Sequence, residues 1–442
     1  MSPSHSIIAR NFIPPLLLTV GLLCAAAPKA AAQREQPEGP LADLPSSPGD
    51  HMEKIAVLGD NEWVDLGSPE ADPEWGKARG RSWSCNQPVA ANLGGMFVFG
   101  EGVHAYTKPD GHYMNDLWFY DINAHRWICL YPGIDTRTIT GRIRNGDLTV
   151  DDDGLLVDEA GEPVPPLLIH AYGYLGYDPG RKKFLTFGRQ FGNYFTTGED
   201  KVFEEANRLF QQQRGGKNNP PLSPFFYDVA TGRWECYPVD KKPGGRPYGA
   251  NVLAYVASKK HFFYGGTDGA WYLDQENRTW IDAEPQGSGP TGIDHCAAYD
   301  PNRDRIYYYQ RDGDEHQENF LIYDVKTDEW RRPRADGTGP PAATSHDSIF
   351  AFDTANDRLV LIRVPRHRGD GGDRRRGVYA YDPQTNAWAE PRPLPDEVER
   401  GIKNGRYGGY DPVSNAYYCH FASDSRDDGT MWVYRYGRKA PE

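Results

Sequence analysis

The stretch Tyr-Asp-Val-Ala-Thr-Gly-Arg-Trp, residues 227–234, sets two aromatic residues seven positions apart around a polar turn. The same spacing returns at 120–127 (YDINAHRW), 323–330 (YDVKTDEW) and 381–388 (YDPQTNAW), and more loosely where Asp274 precedes Trp280. Each copy follows a short apolar run, such as Pro224-Phe225-Phe226 or Phe320-Leu321-Ile322. This reads as strand, tight turn, strand. Asp and Asn hydrogen-bond their own backbone in such turns, and Gly, Asn or Thr suits the bend before the return strand. Tyr and Trp fit a half-buried pleated surface.

A second element interleaves with the first: 176–188, 254–266, 298–310, 351–363 and 409–421. Again an aromatic residue, usually with Asp, leads a short turn into an apolar strand. One unit is therefore strand A, turn, strand B, loop, strand C, turn, strand D. Trp234, Trp280, Trp330 and Trp388 recur at intervals of 46, 50 and 58 residues. A period near 50 predicts a β-propeller.

The strand-D tryptophans, the strand-C tyrosines and the pair Gly265-Gly266 after a strand B resemble the kelch-repeat propellers, over about residues 55–438. Elsewhere the family's diglycine is reduced to a single glycine, as at Gly100 and Gly188, or is absent. The resemblance implies an all-β, kelch-type propeller. It implies no single function, because one propeller scaffold serves unrelated chemistries.

Six strand-D tryptophans are counted: Trp63, Trp127, Trp234, Trp280, Trp330 and Trp388. The chain ends after a strand C containing Trp432, without a strand D of its own. The strand containing Trp63 is expected to pair with it, closing a six-bladed ring and removing the exposed sheet edges.

Residues 1–32 have the form of a secretory signal, with Arg10, an apolar core from Ile13 to Ala27 and Ala30-Ala31-Ala32 at the cleavage site. The core is too short for a membrane span. The protein is expected to be secreted or periplasmic, away from any membrane once the signal is removed. Residues 33–54, rich in Pro, Glu and Ser, are expected to form a disordered leader. The net charge of −13 argues against nucleic-acid binding, and loss of the signal removes only Arg10 and Lys29 among charged residues. Five cysteines follow the signal, an odd number with no CxxC, and are expected to be mostly small buried hydrophobes.

The A–B and C–D turns are short, so length variation collects in the B–C and D–A connections on the opposite face. Long connections on a rigid scaffold carry function. The insert 132–166 reads as a hairpin around Asp151-Asp152-Asp153-Gly154, whose spacing does not match a calcium loop. The insert 189–222 predicts a helix over 199–213, opened by a capping box of Thr197 and Asp200. Its apolar stripe of Val202, Phe203, Ala206, Leu209 and Phe210 is expected to cover the propeller. The loop 365–376 gathers Arg366, Arg368, Arg374, Arg375 and Arg376, donors suited to carboxylate or sulfate groups.

Strand A lies innermost and starts on this looped face. There the sequence places His170, Tyr248, His295, His346, Arg406 and Tyr407 as candidate catalytic residues, and Arg81, Tyr172, Arg246 and Asp294 as candidate ligand contacts. Asp347 falls in the same zone. Arg and His there suit an anionic sugar. A His–Tyr pair beside Arg also suits proton abstraction next to a neutralised carboxylate, as a uronic-acid lyase or sugar epimerase needs. Kelch repeats also begin strand A with Arg and His for packing. The galactose-oxidase branch of the family would need copper ligands and a Tyr–Cys cross-link, and no Tyr-His pair occurs here. No zinc motif, phosphate loop or serine nucleophile elbow is present, so no metal or cofactor is expected. The expected function is a monomeric binding module for a glycan or an extracellular protein, with the lyase or epimerase as the alternative.

Overall fold

The computed structural model describes residues 39–44, 46–81, 86–100, 115–167, 171–191, 204–215, 223–236, 251–292, 295–310, 319–341, 348–364, 376–401, 405–423 and 428–438. Six four-stranded antiparallel sheets are arranged as blades. In A-to-D order, blade 1 is Val89–Ala90, Gly95–Val98, Leu117–Asp121 and Arg126–Tyr131; blade 2 is Leu175–Asp178, Lys183–Gly188, Ser223–Asp228 and Arg233–Cys236. Blade 3 is Asn251–Val256, His261–Gly266, Gly269–Asp274 and Thr279–Asp282; blade 4 is Cys296–Asp300, Arg305–Tyr309, Phe320–Asp324 and Glu329–Arg331. Blade 5 is Ser348–Asp353, Arg358–Arg363, Gly377–Asp382 and Ala387–Trp388. Blade 6 is Gly405–Asp411, Ala416–Ala422 and Gly429–Arg435, completed by Glu62–Asp65 from the other end of the chain. In that closure Trp63 pairs with Tyr434 and Asp65 with Trp432, and the Trp63 and Tyr434 rings lie tilted against each other with centroids 4.6 Å apart.

Both faces of each blade are buried, which is why its strands read as continuous apolar runs rather than alternating ones. Phe97 and Phe119 of blade 1 turn toward blade 2, while Met96, Val98 and Trp118 turn toward blade 6. Each of the six seams has its own apolar cluster, so the ring is closed by packing as well as by hydrogen bonds. The strand-D tryptophans rest on the strand-C aromatics, as with Tyr227–Trp234 at 5.4 Å and Tyr323–Trp330 at 4.8 Å.

The repeated aspartates are turn residues. Asp121, Asp178, Asp228, Asp274, Asp300, Asp353 and Asp382 each accept, on one carboxylate oxygen, the backbone N–H groups two and three residues on. Four residues after each aspartate the backbone turns left-handed, at His125, Lys182, Gly232, Arg278, Asp304, Asp357 and Asn386, with φ between 51° and 69°. This face of the disc also carries staples between blades. Arg303 of blade 4 binds Asp357 of blade 5 through two nitrogens, and the Tyr272 hydroxyl of blade 3 donates to Asp328 of blade 4 at 2.9 Å.

The connections guard the outer edges. Residue 286 takes the Trp330 N–H and gives its own N–H to Asp328, so the D–A connection of blade 3 covers strand D of blade 4. Asp336 does the same one blade on, receiving from Trp388 and donating to Asn386, and Glu70 does it for Trp127 and His125. Blade 2 differs: there the Glu162 carboxylate accepts the Trp234 N–H at 2.8 Å. Unpaired strand edges invite aggregation, and these caps remove them.

Three expectations are corrected. Of the leader expected over 33–54, the described residues 39–44 and 46–54 are packed against the propeller. Leu41 and Leu44 enter the seam of blades 1 and 2, and α1 (His51–Val57) places Ile55 in the seam of blades 6 and 1. Apolar side chains spaced along a polar segment are enough to lay it across the closure point. The insert 132–166 contains α2 (Thr136–Asn145) as well as the expected hairpin of Leu148–Val150 and Leu156–Asp158, so the propeller carries more than one inserted helix. The second insert contributes α3 (Glu204–Gln213), while Thr197, Asp200, Val202 and Phe203 lie outside the described residues. Ala206 and Phe210 of α3 do not chiefly cover the propeller. They join Ile139 and Ile143 of α2, Leu148 and Leu156 of the hairpin, and Phe191 in a separate small core. The two inserts thus form one cap, tied to blade 2 by Gln190 and to blade 1 by Asn115. A further short helix, α4 (Asp396–Gly401), precedes blade 6.

Candidate functional site

Strands A of neighbouring blades touch around the axis. Near the looped end the axis is bridged by Asn86, which donates to the Ala297 carbonyl of blade 4 at 3.4 Å and accepts the Phe350 N–H of blade 5 at 3.3 Å. An open mouth lined by the first residues of strand A is therefore not what the described residues form, and polar side chains there are buried between blades instead.

The densest group of them lies where blade 6 meets blade 1. Arg81, Asp116, Arg406, Tyr407 and His420 are all fully buried. The Arg406 N–H donates to the Arg81 carbonyl at 2.6 Å, bringing these two expected residues together. The Arg81 guanidinium donates to Asp116 at 3.1 Å and to the Arg79 carbonyl at 3.1 Å, and the Trp118 indole N–H donates to the other Asp116 oxygen at 2.6 Å. Tyr407 stacks face to face on His420, with centroids 4.6 Å apart and planes at 20°. The Trp127 ring meets His420 edge-on at 5.8 Å.

His420 was not among the residues expected from sequence, yet the repeat contains the signal for it. Its position is the fifth after the A–B turn, filled by Phe99, Phe187, Gly265, Tyr309 and Ile362 in the other blades. An imidazole here replaces packing groups, and Gly429 makes room for it: a Cβ there would lie 2.5 Å from His420 Cε1. Among the described residues, neither ring nitrogen of His420 nor the Tyr407 hydroxyl has a hydrogen-bond partner. Buried polar atoms without partners are rare and each calls for an explanation. Burial, reinforced by the Arg81 charge, pushes the His420 pKa down to about 3, so the ring is neutral at pH 7. Burial holds the Tyr407 hydroxyl well above its usual value, opposed by Arg81 and reinforced by Asp116 and Asp428.

Arg376, at the end of the arginine-rich loop, reaches the same sector. It donates to the Glu399 carbonyl at 3.1 Å. Its pKa is lowered first by burial; the Glu399 carboxylate opposes the shift and the nearby Arg406 charge adds to it.

The remaining expected residues are not brought here. His295 is buried in blade 4, where Nε2 lies 3.3 Å from the Thr267 hydroxyl and burial lowers its pKa to about 4. Tyr172 sits in a left-handed turn, φ 45°, at the seam of blades 2 and 3. His170, Tyr248, His346, Arg246, Asp294, Asp347, Arg366, Arg368, Arg374 and Arg375 lie outside the described residues. Asp151 is occupied within its hairpin, accepting the Leu155 N–H at 2.8 Å. Among the described residues no group of three or more His, Cys, Asp or Glu is placed to hold a metal, and no helix is long and apolar enough to cross a membrane.

Fold and site together define a six-bladed β-propeller with a buried charged sector at its closing seam. No protein-family profile and no curated protein matches the chain. A crystal structure of a structural genomics protein of unknown function from Bacteroides thetaiotaomicron VPI-5482 is similar to it, with a TM-score of 0.43 and 10% identity over 86% of this chain and 73% of that one. The likeness adds nothing to the fold, which the sheet topology establishes by itself.

Proposed function

We propose that this protein is an exported, kelch-type binding module whose looped face takes an anionic ligand, a glycan bearing carboxylate or sulfate groups, where blades 5, 6 and 1 meet. The observation that carries this reading is the run of arginines over 365–376 in a chain of net charge −13, whose last member, Arg376, is held at the Glu399 carbonyl beside blade 6. Guanidinium groups match carboxylate and sulfate geometry. Arg366, Arg368 and Arg374 precede Arg376 on the same loop and belong to this reading. The test is titration of the mature protein with polygalacturonate, a sulfated glycan and a neutral glucan, at low and high salt. Binding of the acidic polymers alone is expected, weakened by salt and by Arg376→Ala about tenfold, the lower end for one charged hydrogen bond. Failure of every acidic glycan to bind overturns the reading, and capture of an extracellular protein in its place would do the same. Export is tested by N-terminal sequencing of the protein recovered from the medium or periplasm.

A second reading, a uronic-acid lyase or epimerase, would use the Tyr407–His420 stack beside Arg81, although all three side chains are buried. A neutral imidazole can accept a proton while an arginine neutralises the substrate carboxylate. Ultraviolet-absorbing unsaturated products from a uronic-acid polymer, abolished by His420→Phe, would replace the binding module by this reading.

A further inference from the structure

We infer that the outer rim of blade 1 carries a second, independent site for a neutral oligosaccharide. A cleft of about 320 Å³ opens there between the N-terminal strap and the edge-capping segment at residues 70–73. That is the lower end of the size range of small-ligand sites. Its lining includes the buried Leu41, Leu44 and Trp127, and the polar side chains of Asp43, Glu70 and Arg126. Arg126 is held by Asp121 at 3.1 Å, so its charge is already neutralised. The Asp43 and Glu70 carboxylates are exposed and make no side-chain hydrogen bond with described residues.

Beside this cleft stands Trp75, 45% exposed, on the same segment two residues after the lining residue Pro73. The turn that presents it is fixed. Asp72 and Gly76 exchange two backbone hydrogen bonds of 2.7 and 3.0 Å. Asp72 Oδ1 accepts the N–H groups of Glu74 and Trp75 at 3.0 and 2.9 Å, and Oδ2 accepts the Cys129 N–H at 3.0 Å. An exposed indole costs solvation, and ordering its turn costs entropy before any ligand arrives. An exposed aromatic ring on an ordered turn, next to a cleft lined by Leu41 and Leu44 and by carboxylate acceptors, matches a pyranose ring. The sugar's C–H face packs on the indole, and its hydroxyls donate to the acids. The two unengaged carboxylates disfavour an anionic ligand, which separates this site from the arginine sector.

The test is calorimetric titration of the full mature protein with cellohexaose, xylohexaose and mannohexaose, followed by tryptophan fluorescence. At least one is expected to bind, with Trp75→Ala and the double variant Asp43→Asn/Glu70→Gln each weakening it about tenfold while circular dichroism is unchanged. Arg376→Ala is expected to leave this binding intact, so failure of the anionic site and failure of this one are distinguishable. The inference is overturned if none of the three binds, if binding is indifferent to Trp75, or if a lysine-rich peptide and no sugar binds in a Trp75-dependent manner.

Discussion

Replacing His420 by phenylalanine should flatten the acid side of the stability profile. The imidazole is fully buried, and its pKa falls from an ordinary 6.5 to about 3. A base with a depressed folded pKa stabilises the fold fully above its unfolded pKa. That contribution is lost progressively as the pH falls from 6.5 toward the folded value, because the unfolded chain binds the proton first. Between pH 7.5 and pH 5 the loss amounts to about 1.5 pKa units, or about 2 kcal/mol. His420→Phe abolishes this term. At pH 7.5 the variant should lie within about 2 kcal/mol of the parent, since removal of two unpartnered nitrogens is offset by crowding against Gly429. The packing change cancels when each protein is compared with itself at two pH values. The assay is urea unfolding followed by tryptophan fluorescence at pH 7.5 and pH 5. His295 and His125, each lowered to about 4, keep a residual acid sensitivity in both proteins. An equal loss of stability in parent and variant would refute the reasoning, for it would mean that His420 takes up its proton in the fold as readily as in the unfolded chain.

Asp357→Ala should cost about 2 kcal/mol at pH 7, as it removes the two-pronged hold on Arg303 between blades 4 and 5. Arg303 depresses the Asp357 pKa, so the native pair stabilises above the unfolded carboxylate value and weakens below it. Urea midpoints of parent and variant should therefore converge as the pH drops below about 4. Gly337→Ala tests the edge cap. Gly337 has φ +81° and a Cβ would strike the Trp388 carbonyl, so thermal unfolding should report a loss above about 2 kcal/mol. A variant as stable as the parent would show that this cap adds nothing.

Much of the blade was legible because its signals are local. The aspartate at a strand end, the left-handed residue four places on and the tryptophan beyond it lie within one turn, and the repeat states them again and again. The closing strand was legible for the same reason: a chain with one strand D too early and one too few has a single economical solution. The edge caps were missed, although Gln286-Gly287-Ser288-Gly289-Pro290 and Asp336-Gly337-Thr338-Gly339-Pro340 repeat a signal of their own.

By itself the sequence determined the number of blades and their strand order, because turn chemistry and hydrophobic pattern act between near neighbours. Only the tertiary structure decided that the two inserts share a core, that residues 39–58 strap the closure, and that Arg81, Arg406, Tyr407 and His420 meet. Those outcomes depend on contacts between residues far apart in the chain. The axis is narrow enough for Asn86 to bridge it, and those expected mouth residues that are described, Arg81, Tyr172, His295, Arg406 and Tyr407, are buried.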